Sequence, residues 1–203
     1  MELCKIYEVS RITIRRALSE LEKDKFINRT SGKGTMVIFD SKANKNVTLL
    51  KSITQELSEI GKKVSTISLT IKTLNANIEL STMLNVSLNT RLLQLNRTRS
   101  VDGEIIAYSK SYFPFLEGMS IDENDYYGSL LEYLEKFDVK LTKSDDSIEA
   151  ILPPEEIYEQ LGTDWYDPVL KRTKISRNDD DSFRELSVIY YIGSKYIYQV
   201  ETI

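Results

Sequence analysis

The sequence predicts a mixed α+β protein of two domains, a small basic one at the N-terminus and a larger, mainly antiparallel one behind it. Three observations predict this organisation. Apolar residues recur at helical spacing early in the chain, a polar stretch follows, and long segments beyond it alternate apolar and polar residues as half-buried strands do. A length of 203 residues accommodates one small and one medium domain.

The charges divide the chain in the same way. Residues 1–36 carry eight basic and five acidic side chains, a net charge of +3, whereas the whole chain carries −4. A basic module joined to an acidic body is typical of a DNA-binding head, because only the head has to neutralise phosphates.

The composition excludes several classes of protein. The chain has no histidine and one cysteine, Cys4, so we expect no zinc site, no internal disulfide and no nucleophile–histidine pair. No apolar run is long enough to span a bilayer, and the N-terminus lacks the layout of a signal peptide. We therefore expect a cytoplasmic protein that is not an enzyme and uses no metal, cofactor or membrane.

The head, residues 1–40, reads as a helix, a turn, a second helix and a basic hairpin. Ser10 is a plausible N-cap for the second helix, which runs to about Lys23 and carries one apolar stripe of Ile14, Ala17, Leu18 and Leu21. Two short strands at 26–30 and 35–39 flank two glycines around a lysine, which suit a hairpin tip. This order is that of a winged helix-turn-helix.

Residues 41–47 are polar and read as a linker, so the body spans residues 48–203. The body alternates between helical and strand patterns, without an internal repeat. We predict helices at 52–60, 77–85, 127–137 and 154–161, and strands at 65–74, 91–100, 104–113, 141–151, 168–177, 183–192 and 194–202.

The head resembles the winged helix-turn-helix of the GntR family of bacterial regulators. The resemblance rests on Glu2-Leu3-Cys4, on the run from Val9 to Leu21 and on Gly32-Lys33-Gly34-Thr35. A complete head of this family begins a helix and a turn earlier, so we expect the first helix to be missing and the winged helix to be truncated.

The body resembles the UTRA effector-binding domain of the HutC-type branch, whose fold is similar to that of chorismate lyase. The residues that carry this resemblance are Arg97-Thr98-Arg99, Asp102-Gly103, Ser111-Tyr112-Phe113-Pro114, Gly128-Ser129-Leu130 and Tyr190-Tyr191-Ile192-Gly193. It implies an α+β domain that binds a small anionic effector, most simply a sugar phosphate.

For DNA, the resemblance assigns base reading to Arg11 and Arg15, because an arginine fork donates two hydrogen bonds to guanine. The alternative is that these arginines contact phosphates or solvent only. Further candidates for contact with double-stranded operator DNA are Ser10, Thr13, Arg16, Gly32, Lys33 and Gly34.

For the effector, three groups of residues are candidates. Ser52, Ile53 and Thr54 begin a predicted helix with a capping box, and the resemblance assigns this loop to a phosphate, although a purely structural cap is the alternative. Arg97 and Arg99 share a strand face and could clamp an anion, with solvated charges on an exposed strand face as the alternative. Glu185 matches the family's hydrogen-bond acceptor for a sugar or an amine, with a surface salt bridge as its alternative, and Tyr191 and Ser129 complete the set.

The sequence therefore predicts a repressor that binds operator DNA as a homodimer and is regulated by a small anionic metabolite. Two alternatives stay open, namely an effector-domain fragment that acts only by dimerisation and an enzyme with a chorismate-lyase-like active site.

Overall fold

The computed structural model describes residues 4, 6–7, 9–23, 27–30, 34–37 and 63–198, and the chain divides into two units, Met1–Val47 and Thr48–Ile203. Several predicted features lie outside the described residues. These are the linker, the helix at 52–60 with Ser52, Ile53 and Thr54, and the hairpin tip with Gly32 and Lys33.

The first unit contains the predicted helix and hairpin. Helix α1 spans Arg11–Lys23, and the Ser10 hydroxyl accepts a hydrogen bond from the Thr13 backbone at 3.2 Å, which confirms the N-cap. Strands β1 (Ile27–Thr30) and β2 (Gly34–Val37) pair antiparallel, with Thr30 opposite Gly34. Only Ile14 and Leu18 of the apolar stripe are half-buried, whereas Ala17 and Leu21 are exposed.

The second unit is built on a six-stranded antiparallel sheet with the strand order β3-β4-β5-β8-β7-β6. Its strands are β3 (Val64–Asn75), β4 (Arg91–Val101), β5 (Glu104–Pro114), β6 (Lys143–Ile151), β7 (Val169–Arg177) and β8 (Arg184–Ile192). Its helices are α2 (Ile78–Leu84), a 3-10 turn at Glu123–Tyr126, α3 (Leu130–Glu135) and α4 (Glu155–Leu161). No helix among the described residues has the length and apolar character to cross a membrane.

Local signals in the sequence set the ends of the short helices. The Asn77 side chain accepts a hydrogen bond from the Leu80 backbone at 2.8 Å and begins α2, and Asn85 ends it in the left-handed region at φ 55°. Gly162 ends α4 in the same way at φ 64°, where a glycine pays no Cβ penalty.

The sheet packs helices on both of its faces. Helix α3 covers one face, where Leu134 contacts a core that includes Leu93, Leu95 and Phe113, all fully buried. Helices α2 and α4 cover the opposite face over Leu92, Leu186, Val169 and Ile192. The strands at the centre of the sheet are therefore buried on both faces, and polar residues there must find partners.

The predicted helix at 127–137 is wrong in its length. The structure has a separate 3-10 turn ending at Tyr126 and a six-residue α3. The chain is extended at Ser129, whose hydroxyl caps the backbone of Glu132 and so begins α3 there.

The strand predicted at 194–202 is also wrong in its described part. Residues 193–195 form a turn, closed by the Lys195 backbone donating to the Ile192 carbonyl at 2.9 Å, and residues 196–198 are irregular. Strand β8 is flanked by β5 and β7, so its edges offer no free backbone groups to a following strand.

Candidate functional site

A cavity of about 70 Å³ lies on the face of the sheet that α3 covers, which we call the cavity face. Cross-strand pairing brings its walls together, because Arg97, Ser109, Ile189 and Arg172 stand opposite one another on β4, β5, β8 and β7. The full lining is Arg97, Arg99, Ala107, Ser109, Ser111, Leu130, Leu131, Arg172, Lys174, Ser176, Glu185, Ser187, Ile189 and Tyr191.

Arg97 and Arg99 form the cationic wall that the sequence predicts. Arg97 is 8% exposed and Arg99 is 3% exposed, so the alternative of solvated surface charges is excluded. Arg97 Nη1 donates to the Gly128 carbonyl at 3.1 Å, and Arg99 Nη1 donates to Thr66 Oγ1. Within the described residues, the Nε–H groups of both arginines are buried without a hydrogen-bond partner.

A β-bulge in the edge strand β3 aligns a partner for this wall. The register shifts between Thr66 and Ser68, so that Thr66 stands opposite Arg99 while Leu69 stands opposite Arg97. Thr66 and Leu69 are three residues apart and would face opposite sides of a regular strand. The extra residue of the bulge places both side chains on the cavity face. Thr66 Oγ1 also donates to the Tyr127 carbonyl at 3.2 Å.

Burial disfavours the charged form of the two guanidinium groups and lowers the pKa of both. Desolvation, together with repulsion from Arg99, lowers the pKa of Arg97 to about 9, and attraction to Glu185 opposes this change. Desolvation lowers the pKa of Arg99 to about 10. Both groups keep their charge at neutral pH, so an anion that supplies the missing acceptors would be strongly favoured.

Glu185 lies at the other end of the cavity in a chain of hydroxyl groups. Ser111 Oγ and Ser187 Oγ are 2.7 Å apart, and the Ser187 hydroxyl donates to Glu185 Oε1. Burial raises the pKa of Glu185, while Ser187, Lys174, Ser111 and Arg97 act in the opposite direction. Glu185 is 5% exposed, which excludes the alternative of a surface salt bridge.

The sequence prediction missed two further cations, Arg172 and Lys174 on β7. Both are buried and both line the cavity. Arg172 Nη2 donates to Asp146 Oδ2 on β6 at 2.8 Å. Their spacing of two residues on a strand is the same signal that identified Arg97 and Arg99, and applied to the run Lys171-Arg172-Thr173-Lys174 it would have found them.

Tyr191 and Ser129 have different positions. Tyr191 is fully buried, lines the cavity and stacks on Tyr196 with ring centroids 3.7 Å apart. Ser129 caps α3 and does not line the cavity, although the carbonyl of the preceding Gly128 accepts from Arg97. The structure therefore brings Arg97, Arg99, Glu185 and Tyr191 together and leaves Ser129 beside them.

The predicted DNA-contacting side chains that the structure describes are exposed on α1 and at its start. These residues are Ser10, Arg11, Thr13, Arg15 and Arg16. Ser10 Oγ and Thr13 Oγ1 are 2.9 Å apart, so the two hydroxyl groups form a hydrogen bond with each other. Gly34 begins β2, and its pairing with Thr30 closes the described part of the hairpin.

The cavity has an excess of positive charge. Four cations line it, and the carboxylates of Glu185 and Asp146 offset part of their charge. Such an excess of buried positive charge holds an anion by hydrogen bonds and Coulomb attraction.

Comparison with known proteins identifies the family. Residues 59–197 match the UTRA domain, and residues 1–37 match the bacterial regulatory proteins of the gntR family. The chain belongs to the UTRA domain family. With its gntR-type N-terminal segment it is a DNA-binding transcriptional regulator of the GntR family, which binds a small-molecule effector through the UTRA domain, and it is not an enzyme.

Individual relatives agree with this family. The regulator is 24% identical over 203 residues to the HTH-type transcriptional regulator GgaR of Escherichia coli (strain K12), covering 98% of this chain and 79% of that protein. It is 24% identical over 200 residues to the HTH-type transcriptional repressor NagR of Bacillus subtilis (strain 168), covering 97% and 81%.

Solved structures show the same fold. The crystal structure of PhnF from Mycobacterium smegmatis has a TM-score of 0.70 and 23% identity, covering 100% of this chain and 89% of that one. The effector domain of PhnF gives a TM-score of 0.67 and 22% identity, covering 75% and 94%. The prediction of a winged helix followed by an antiparallel α+β effector domain is therefore confirmed.

Proposed function

We propose that this regulator represses an operon of sugar uptake or breakdown and is released from its operator by a sugar phosphate bound in the cavity. The single observation that carries the proposal is the pair of buried arginines, Arg97 and Arg99, whose Nε–H groups lack acceptors within the described residues. A buried donor without an acceptor costs roughly 1–3 kcal/mol, and more when it is charged, so the cavity favours an anionic ligand.

A phosphate monoester suits this wall better than a carboxylate does. A phosphate presents three terminal oxygens and close to two negative charges at neutral pH, which match two guanidinium groups. At the other end of the cavity, the Ser111–Ser187–Glu185 chain offers acceptors for hydroxyl or amino groups. A small ligand with a phosphate at one end and hydroxyl groups at the other meets both requirements.

A relative supports the connection with sugars. The regulator is 27% identical over 191 residues to an Escherichia coli (strain K12) protein named "Probable fructoselysine utilization operon transcriptional repressor", covering 93% of this chain and 78% of that one. From this name we infer only the class of operon that the present regulator controls, and nothing about its effector.

On the DNA side, the proposal assigns Arg11 and Arg15 to base edges and Ser10, Thr13 and Arg16 to phosphates or bases. It assigns the wing residues Gly32, Lys33 and Gly34 to the minor groove or the backbone. The body would pair two chains into a homodimer, so that two heads read the two half-sites of a near-palindromic operator. An effector that binds more tightly to the dimer form with the wrong head spacing would release the DNA.

A gel-shift experiment tests the proposal with the DNA upstream of the regulator's own operon. We expect a shift by the wild-type chain that hexose 6-phosphates reverse, and a shift by Arg97→Met that they no longer reverse. The Arg15→Ala variant should lose the shift, because it removes a contact to the DNA. A complex that sugar phosphates never affect would contradict the proposed effector, and an unshifted fragment would contradict operator binding by this chain.

A further inference from the structure

The two arginines of the cationic wall bind protein acceptors through the same nitrogen. Arg97 donates from Nη1 to the Gly128 carbonyl, and Arg99 donates from Nη1 to Thr66 Oγ1. The Nε–H groups of both arginines, by contrast, are buried without a partner within the described residues. A guanidinium group presents Nε–H and one Nη2–H as a parallel pair of donors along one edge, and Nη1 lies outside this edge. The protein therefore holds each arginine by Nη1, and the unpartnered Nε–H marks the edge that an anion would bind.

The Thr66 hydroxyl is held as an acceptor toward Arg99. Its own proton is donated to the Tyr127 carbonyl at 3.2 Å, so its lone pairs face the guanidinium group. A hydroxyl that donates in this way is a stronger acceptor, because successive hydrogen bonds polarise one another. Arg99 is only 3% exposed, so little water competes for the contact. The hydrogen bond therefore restrains the rotation of the Arg99 guanidinium before any ligand binds.

The bulge in β3 brings this hydroxyl to the cavity face. Thr66 stands opposite Arg99, and the register shifts directly after it, between Thr66 and Ser68. Ile67, the residue between these two, is 51% exposed, so its side chain contributes little to the core. Bulges re-aim side chains next to binding sites. Here the side chain that is re-aimed is that of Thr66.

We propose that Thr66 is a positioning residue that acts through Arg99, holding Nη1 so that the Nε–H edge of the guanidinium faces an anion in the cavity. The proposal rests on the function proposed above, because it takes the phosphate of the effector to bind at Arg97 and Arg99. Thr66 is uncharged, so its replacement leaves in place the charged side chains that line the cavity, namely Arg97, Arg99, Arg172, Lys174 and Glu185. A change of anion affinity in a Thr66 variant therefore reports orientation rather than charge.

Titration calorimetry of the whole chain with inorganic phosphate tests this role. Thr66→Val keeps the shape of the side chain and removes its hydroxyl. We expect this variant to bind phosphate about threefold to tenfold more weakly than the wild type, because the long Arg99 side chain must then be ordered on binding. Thr66→Ser keeps the hydroxyl and should bind with a Kd within about twofold of the wild-type value.

Thr70→Val is the matched control on the same strand. Thr70 stands opposite Asn96, which precedes Arg97 and so faces away from the cavity. The Thr70 hydroxyl accepts from Asn96 Nδ2 at 3.2 Å, so this variant also loses a side-chain hydrogen bond of β3. Its Kd for phosphate should stay within about twofold of the wild-type value.

A double-variant cycle with Arg99→Lys distinguishes positioning of Arg99 from support of the Tyr127 carbonyl. Lysine keeps the charge but is a compact ammonium group without a fork to orient. In the Arg99→Lys background, Thr66→Val should therefore change the affinity by less than about twofold. An equal loss in both backgrounds would show that Thr66 acts through the Tyr127 carbonyl instead, and would overturn the proposal.

Three other results would also overturn it, each with wild-type binding intact and the proposed function still standing. These are a Thr66→Val variant that binds phosphate as tightly as the wild type, a Thr66→Ser variant that loses as much affinity as Thr66→Val, and an equal loss in Thr70→Val. A wild-type chain that does not bind phosphate would overturn the proposed function, and this inference with it.

Discussion

At the scale of single residues, the candidate site consists of charged groups in places where charge is costly. Arg97, Arg99, Arg172, Lys174 and Glu185 are all buried on the cavity face. Burying an ion is tolerated only when partners or a ligand compensate for the lost hydration. Apolar residues in such positions often leave stability unchanged or raise it, so these buried charges support the binding role proposed above.

Replacing Glu185 with Gln should change how stability depends on pH. Burial raises the pKa of Glu185 in the folded state, so between the unfolded pKa and this raised value the folded state binds more protons than the unfolded state. The free energy of unfolding contributed by Glu185 therefore falls as the pH rises through this window, and the full penalty is present above it. In Glu185→Gln this dependence is lost, while the Ser187 hydroxyl can still donate to the amide oxygen.

Urea unfolding of both proteins between pH 4 and pH 8 measures this difference. The Gln variant should gain stability relative to the wild type as the pH rises from about 4.5, a direction that follows from the raised pKa. The exposed Glu117→Gln variant is the control for the loss of one carboxylate. A difference that is constant with pH, or that changes in the opposite direction, would contradict burial as the dominant effect on Glu185.

At the scale of elements, short helices attached to the sheet position the site. Helix α3 has six residues, too few to be stable alone, and it depends on its cap and on Leu134 in the core. The carbonyl that holds Arg97 belongs to Gly128, directly before this cap. The formation of α3 therefore helps to fix the orientation of Arg97 in the cationic wall.

Removing the cap should lower stability without removing the charges that bind the anion. We expect Ser129→Ala to lower the free energy of unfolding by about 1 kcal/mol, because the Glu132 amide loses its acceptor. Asn77→Ala at the start of α2 is the matched control, with a similar loss at a helix on the opposite face. Thermal unfolding gives the stability, and calorimetry with inorganic phosphate gives the affinity.

Both variants should bind inorganic phosphate with a Kd within about twofold of the wild-type value. A tenfold change in Kd would correspond to about 1.4 kcal/mol of binding free energy. A strong loss of affinity in Ser129→Ala alone would contradict this expectation, and would show either that Ser129 contacts the anion, as the family resemblance implies, or that the cap holds the Gly128 carbonyl in place for Arg97. A loss in both would show that affinity follows global stability rather than any contact.

At the scale of the whole molecule, a DNA-binding unit and an effector-binding unit share one chain. Regulation requires that the effector and the operator bind preferentially to different states of the protein. Linkage then makes the coupling reciprocal, since the factor by which one ligand weakens the other is the same in both directions. This holds whatever path the coupling takes through the structure.

We therefore expect saturating operator DNA to weaken the binding of a hexose 6-phosphate by the same factor by which that ligand weakens operator binding, in the range of about 5- to 150-fold. Calorimetry with and without the operator fragment measures one side of the cycle, and gel shift measures the other. A scrambled fragment of equal length is the control. Unequal factors would indicate a further state or a change of oligomer during one titration.

The sequence by itself determined the family, the order of elements and the first cationic pair. Arg97 and Arg99 share one face because they are two residues apart on a strand, and the Ser10 cap and the glycines of the hairpin are equally local signals. Such features depend on neighbours a few residues away, so they can be predicted without knowledge of the rest of the chain. The long helix predicted at 127–137 failed where a local signal, the Ser129 cap, was not recognised.

Only the tertiary structure decided what surrounds the cavity. Strand order puts Arg172 of β7 opposite Arg97 of β4, although 75 residues separate them, and the bulge in β3 brings Thr66 to Arg99. Asp146 meets Arg172 because β6 is the edge neighbour of β7. The physical reason is that strand order and register arise from burial and pairing between distant segments, which the pattern along one segment does not encode.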